Sequence, residues 1–189
     1  MRILSIFLIY SSLMRDINHD LKLGSNAEDS VKPILETIFG KLVNNNETNQ
    51  FDNFDFKNDK FYVEHKFRHD LELKEVKYYN GTKFYNIKSL RNPKARINGL
   101  FFDKCKYIKY LELSKQNPEL QFYICWTCNK SIDKDKIYYW KFKPEDCGEF
   151  DEFKMKTDNG RGRYVIRDVV NVISCHLNQL SSSEGISLT

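Results

Sequence analysis

From Lys60 to Arg68 apolar and polar side chains take turns, with Phe61, Val63, His65 and Phe67 on one parity and Tyr62, Glu64, Lys66 and Arg68 on the other. Alternation of this kind predicts a β-strand, and it makes Glu64 and Lys66 project together. The preceding run, Phe51 to Phe56, pairs with it antiparallel across Lys57-Asn58-Asp59, whose Asn and Asp suit a tight turn. That pairing sets Asp55 beside Glu64, on the opposite parity to Phe54 and Phe56. Polar groups therefore gather where a buried strand pair should have none.

The flanking patterns predict the rest of an α/β domain. The stretch LKLGSNAEDSVKPILETIFGKLV reads as a helix with Ser25 or Asn26 near its N-cap, an apolar stripe of Val31, Leu35, Ile38 and Phe39, and Gly40 as its stop. Pro33 requires that helix to begin late or to bend. In VKYYNGTKFYNIK, Asn80-Gly81 lies between aromatic and β-branched runs, which predicts an inserted hairpin with a type I′ turn. Asp103 is placed to cap a helix that ends before Pro118 and turns Tyr107, Ile108 and Leu111 inward. LQFYICWTC is apolar almost throughout, as a central strand covered on both sides must be. Tyr138 to Phe142 and Tyr164 to Ile173 predict further strands. Lys143 to Lys156 shows only mixed charge, and the tail from Ser181 to Thr189 carries no core-forming pattern.

Composition changes this picture in two ways. At 189 residues and 41% hydrophobic, the chain suits one domain spanning about residues 1–180. Its net charge of +4 is unevenly spread: residues 57–115 hold 15 basic and 7 acidic side chains, while the segments on either side are slightly acidic. A concentrated positive field beside the hairpin suits a polyanion. Five cysteines without regular spacing argue against a secreted disulfide framework, and Cys125-x-x-Cys128 lacks a second zinc-type pair, so core thiols are expected. The N-terminal apolar run is too short to span a bilayer. An intracellular protein is expected, with a signal peptide as the alternative.

The chemistry follows from the hairpin. Two carboxylates on adjacent strands can hold a hard divalent cation, and a lysine two residues along can orient a bound water. An Asp, then a turn, then Glu-x-Lys, here Asp55 and Glu64-His65-Lys66, resembles the PD-(D/E)XK nuclease superfamily; Phe54 stands where that family has Pro. Gly24-Ser25-Asn26-Ala27-Glu28 is similar to the opening of its Holliday-junction-resolvase branch. The resemblance implies a restriction-endonuclease-like core, a central mixed sheet flanked by helices with an inserted hairpin. It implies Mg²⁺ or Mn²⁺ held by Asp55, Glu64, the His65 carbonyl and Glu28, with Lys66 orienting the attacking water. Its substrate would be DNA, with a homodimer allowed and no membrane involved. Lys104, Lys106, Arg161 and Arg163 are further candidate phosphate contacts. The competing expectation is a nuclease-fold module that binds nucleic acid without cleaving it.

Overall fold

The computed structural model describes residues 17–45, 54–128, 137–142, 150–158 and 164–179. The first helix, α1 (Ile17–Phe39), buries Ala27, Val31, Leu35 and Phe39, a stripe at four-residue spacing. Gly40 ends it as expected: its φ of +76° suits the left-handed cap, and its N–H donates to the Glu36 carbonyl at 3.1 Å. The predicted start is corrected. α1 begins eight residues before Ser25, which with Asn26 lies inside the helix rather than at its cap. Extending a formed helix through weak formers costs less than nucleating a new one, and Ser30 Oγ satisfies itself on the Asn26 carbonyl at 2.7 Å. Pro33 is accepted on the exposed side, where the carbonyl it leaves unmatched can meet water.

Three strands follow, β1 (Val43–Asn44), β2 (Phe56–Lys57) and β3 (Phe61–Arg68), paired antiparallel with Asn44 opposite Phe56 and Phe56 opposite Val63. The turn between β2 and β3 is tied by Asn58. Its Oδ1 accepts from the N–H groups of Lys60 and Phe61, both at 2.9 Å, and its Nδ2 donates to the carbonyls of Phe39 and Lys41. One side chain thus joins the end of α1 to the hairpin.

After β3 the chain makes the inserted hairpin, β4 (Leu71–Tyr79) and β5 (Thr82–Ser89), with Asn80 and Gly81 at φ of +49° and +78°, the predicted two-residue turn. It then passes through β6 (Gly99–Asp103) and α2 (Lys104–Gln116) to β7 (Gln121–Cys128), which lies parallel to β3 with Glu64 opposite Ile124. A parallel return needs a long connection, and β4 to α2 supply it. Antiparallel β8 (Ile137–Phe142) follows, and after it come β9 (Phe150–Asp158), β10 (Tyr164–Ile173) and the short β11 (Asn178–Gln179). Among the described residues the main sheet runs β1-β2-β3-β7-β8-β11, and a second sheet runs β6-β10-β9. The fold is therefore α/β with a mixed central sheet and few helices.

The central sheet is covered on both faces, which is why β7 is apolar throughout. On one face α1 packs Val31, Leu35 and Phe39 against Phe61, Val63, Tyr123 and Cys125. On the other, Tyr110 of α2 joins Phe54, Phe122, Ile124 and Trp126, closed over by Leu100, Phe102, Val170 and Val172 of the second sheet. Cys125 and Cys128 are buried free thiols, their pKa values pushed up by burial, to about 12 for Cys128. Two expectations for α2 are corrected. Tyr107 and Leu111 pack against the core as expected, but Ile108 is exposed and the fully buried residue is Tyr110. Asp103 holds the N-cap position without a side-chain cap bond and faces Arg167 at 3.7 Å instead. β9 was not predicted, and no described helix is long and apolar enough to cross a membrane. The N-terminal run, residues 159–163 and the tail lie outside the described residues.

Asn58→Ala should lower the free energy of unfolding by ~2–3 kcal/mol, since each of several net hydrogen bonds contributes ~1 kcal/mol. Urea denaturation measures it, and a loss under ~0.5 kcal/mol would mean that backbone pairing alone holds the turn.

Candidate active site

Regular pairing of β2 stops at Phe56, and the residue before it bends. Two residues apart on a regular strand share a face, yet Phe54 stacks on Tyr110 at 4.2 Å while Phe56 packs on the α1 side. The expectation that Phe54 and Phe56 share one parity is corrected by this bend. Asn45 holds it open: its N–H donates to the Asp55 carbonyl at 2.9 Å and its Nδ2 to the Phe54 carbonyl at 3.2 Å. With those carbonyls taken, the N–H of His65 has no backbone acceptor on that side. Asp55 Oδ2 accepts it instead, at 2.7 Å. N–H and C=O of one strand residue lie on the same side, so the His65 carbonyl also faces the Asp55 edge.

Glu64 is fully buried, on the face covered by α2. Its Oε1 accepts from Lys66 Nζ and from Lys106 Nζ, whose side chains are 21% and 25% exposed. The hydroxyl of Tyr110 also meets this carboxylate. Lys106 and Tyr110 are four residues apart and so lie on one face of α2, which delivers both to Glu64. Oε2 of Glu64 is buried without a hydrogen-bond partner. Asp55, on the neighbouring strand and tied to the His65 N–H, lies near enough to act electrostatically on Lys66 and Tyr110, as Glu64 does. The Arg68 guanidinium also acts on Lys66 from two residues along β3, so three cationic side chains stand near Glu64.

Protonation follows from these neighbours. Burial works against the charge on Lys66, but Glu64 and then Asp55 outweigh it and hold the ammonium up at about 12. Burial, and then Glu64 and Asp55, push the Tyr110 hydroxyl well above its ordinary value. The His65 imidazole points to the α1 side, where Nε2 shares a hydrogen bond with Thr127 Oγ1 at 2.8 Å. Burial, reinforced by Lys66, takes its pKa down to about 3. At neutral pH Lys66 and the Tyr110 hydroxyl therefore keep their protons, and the His65 imidazole stays neutral.

The residues fit a hard cation on two counts. A buried carboxylate oxygen lacks a partner, and all nearby ligand atoms are oxygens, as Mg²⁺ and Mn²⁺ prefer. Among the described residues no group of three His, Cys, Asp or Glu side chains is gathered. Mg²⁺ commonly takes one or two carboxylates and keeps its remaining shell as water, so Asp55, Glu64 and the His65 carbonyl form a sufficient set.

The other sequence candidates fall elsewhere. Glu28 is half-buried on α1, the helix that packs Val31, Leu35 and Phe39 on the opposite face of the sheet. Lys104 pairs with Glu152 of β9, away from Glu64, and Lys106 faces the carboxylate. Arg161 and Arg163 lie outside the described residues. The role of Tyr110 was missed; the Lys106 to Tyr110 spacing was the available signal, but it carries no information about which strand the helix covers.

No family model, no curated protein and no solved structure matches the chain.

Because His65 binds its proton more weakly when folded, the unfolded chain holds more protons between its ordinary value and about 3. Its contribution to stability is therefore complete above pH ~6.5 and is lost as pH falls, by up to ~1.4 kcal/mol per unit. Urea unfolding in EDTA between pH 7 and 5.5 should show this slope, and His65→Gln should flatten it. Equal slopes in the two proteins would place the imidazole in contact with water.

Proposed function

We propose that this protein is a Mg²⁺- or Mn²⁺-dependent endonuclease that hydrolyses DNA phosphodiester bonds. The observation that carries the reading is the buried Glu64 carboxylate with one unpartnered oxygen, on the strand whose His65 N–H donates to Asp55 Oδ2 of the adjacent strand. The element order supports it: α1, β1, β2 and β3, then α2 and a strand β7 parallel to β3, is the order implied by the PD-(D/E)XK resemblance, with β4, β5 and β6 inserted before α2.

In this reading Asp55, Glu64 and the His65 carbonyl hold the cation, which when bound polarises a phosphate oxygen and acidifies a water. The bend at Asp55 keeps its carboxylate at the strand edge, and the Asp55 bond to the His65 N–H fixes that orientation. Lys66, protonated, donates to the attacking water or to a non-bridging phosphate oxygen, stabilising the negative charge that grows on the phosphate oxygens; as the new P–O bond forms and the P–O bond to the departing strand breaks, the water's proton passes to solvent, which also protonates the leaving oxygen. Lys106 supplies a second cation from the α2 side, and Tyr110 keeps Glu64 oriented. A DNA-binding module without cleavage is the second reading, favoured by the fact that both lysines already neutralise Glu64.

Supercoiled, linear and branched DNA incubated with and without Mg²⁺ or Mn²⁺ tests the proposal. Asp55→Asn and Glu64→Gln should abolish cleavage. Lys66→Ala should slow it about a hundredfold, the worth of one preorganised charge of ~3 kcal/mol, while DNA binding changes little. A separate readout is thermal: millimolar Mg²⁺ should raise the Tm of the wild type and leave that of Glu64→Gln unchanged. DNA binding without cleavage under every metal condition would favour the binding module, and cleavage of RNA alone would reassign the substrate.

A further inference from the structure

The β4–β5 hairpin has a root and a tip of different character. At the root, Leu71, Tyr85 and Ile87 are buried in the same core that carries Glu64, with Tyr85 edge-on to Tyr138 at 5.1 Å. The root follows β3 directly, through His69 and Asp70, and is closed by the Leu90 N–H on the Asp70 carbonyl at 2.8 Å. Beyond the pair Val76 and Tyr85 there is no core beneath the ribbon: every residue from Lys77 to Lys83 is exposed. Tyr78 is 72% exposed and Tyr79 71%.

Two rings left almost wholly in water contribute little to folding, and a hairpin tip needs neither of them. Their placement is specific. Neighbours on a strand point to opposite faces, so each face of the tip carries one tyrosine. Tyr78 lies opposite Lys83 across the ribbon and Lys77 lies opposite Phe84, so each tyrosine has a lysine on its own face. The charge is one-sided as well. From Val76 to Phe102 the chain has six basic side chains, Lys77, Lys83, Lys88, Arg91, Lys94 and Arg96, and no acidic one, and all six are exposed. A solvated surface ribbon ordinarily mixes signs. The acidic residues of the ribbon, Glu72 and Glu75, stand toward its root, where Lys74 pairs with Glu72 at 3.5 Å. A tip that is cationic without a carboxylate and ends in two bare rings matches a polyanion that offers flat apolar faces, namely nucleic acid with unpaired bases.

We propose that the β4–β5 hairpin is a substrate-reading arm: Tyr78 and Tyr79 stack on unpaired DNA bases while Lys77, Lys83 and the cations that follow hold the phosphates. The proposal rests on the reading of the substrate as DNA and narrows it to DNA that contains unpaired bases. The arm grows from the end of the strand that bears Glu64 and Lys66, so it meets the substrate away from the scissile phosphate and selects where the carboxylates act.

The test is binding by the full chain in EDTA, where cleavage does not intervene, to three fluorescent DNA probes of equal length: an intact duplex, a duplex with an internal bulge of unpaired thymines, and a single strand. Tyr78→Ala/Tyr79→Ala should weaken binding to the bulged and single-stranded probes by about tenfold to a hundredfold, with the intact duplex within about threefold, because each stacked base adds roughly tenfold or more. Tyr78→Phe/Tyr79→Phe keeps both rings and should bind as the wild type does. Lys77→Ala/Lys83→Ala should weaken all three probes and reduce the salt slope by between ~1.4 and ~1.8. Equal losses on all probes for the alanine pair, or none, would overturn the arm as a reader of unpaired bases. Wild-type protein that binds no probe would overturn both this proposal and the DNA reading. Selective binding without cleavage on adding Mg²⁺ or Mn²⁺ would overturn the nuclease alone and leave the arm standing.

Discussion

A carboxylate with no exposure to water has to be compensated, and the compensation of Glu64 organises the structure around it. Removing such a charge from water costs several kcal/mol, which two lysines on one oxygen offset only if both are delivered to the same point. Lys66 arrives by strand periodicity, two residues along β3. Lys106 arrives because α2 crosses the face of the sheet that carries Glu64, and the same helix turn brings Tyr110. Moving α2 by one residue would turn both away. The packing of α2 against Phe54, Phe122 and Phe142 is thereby tied to the electrostatics of the site.

The second constraint is the break in β2. Had the hairpin run regularly, Phe54 and Phe56 would lie on one face and the core on the other would lose a ring. The bend at Asp55 sends each phenylalanine into a different core and frees the His65 N–H, which then fixes the Asp55 carboxylate. Asn45 stabilises the bend and Asn58 the turn beside it. Two asparagines thus support the local geometry on which the two-carboxylate space depends, and the α1 core behind them is filled by residues that take no part in the chemistry.

The insertion divides the labour further. A parallel β3 and β7 demand a long connection, and this chain uses the length to build a hairpin with a cationic tip and then β6, which β10 and β9 later join as a second sheet. The second sheet closes the core over α2, while the hairpin leaves its tip in water. Within that connection the hairpin root and β6 are packed into the core, and the hairpin tip is not.

Much of this was legible in the residues. The alternation in Lys60 to Arg68, the Asn80-Gly81 turn, the apolar β7 and the stop at Gly40 each rest on local geometry, which the chain obeys wherever tertiary packing does not compete, and they predicted the right elements. The adjacency of Asp55 and Glu64 followed from turn length. What was not legible depended on contacts between distant segments. The start of α1 is set by propagation through weak formers, and β9 is an edge strand, held by pairing with β10 without needing an apolar stripe. The inward face of α2 depends on which strand it crosses, so the spacing of Lys106 and Tyr110 did not tell that both would meet Glu64. The sequence by itself determined which residues could form strands, turns and charges; only the tertiary structure decided which of those charges are buried together, because burial is a property of the packed sheet and helix and not of the residues that enter it.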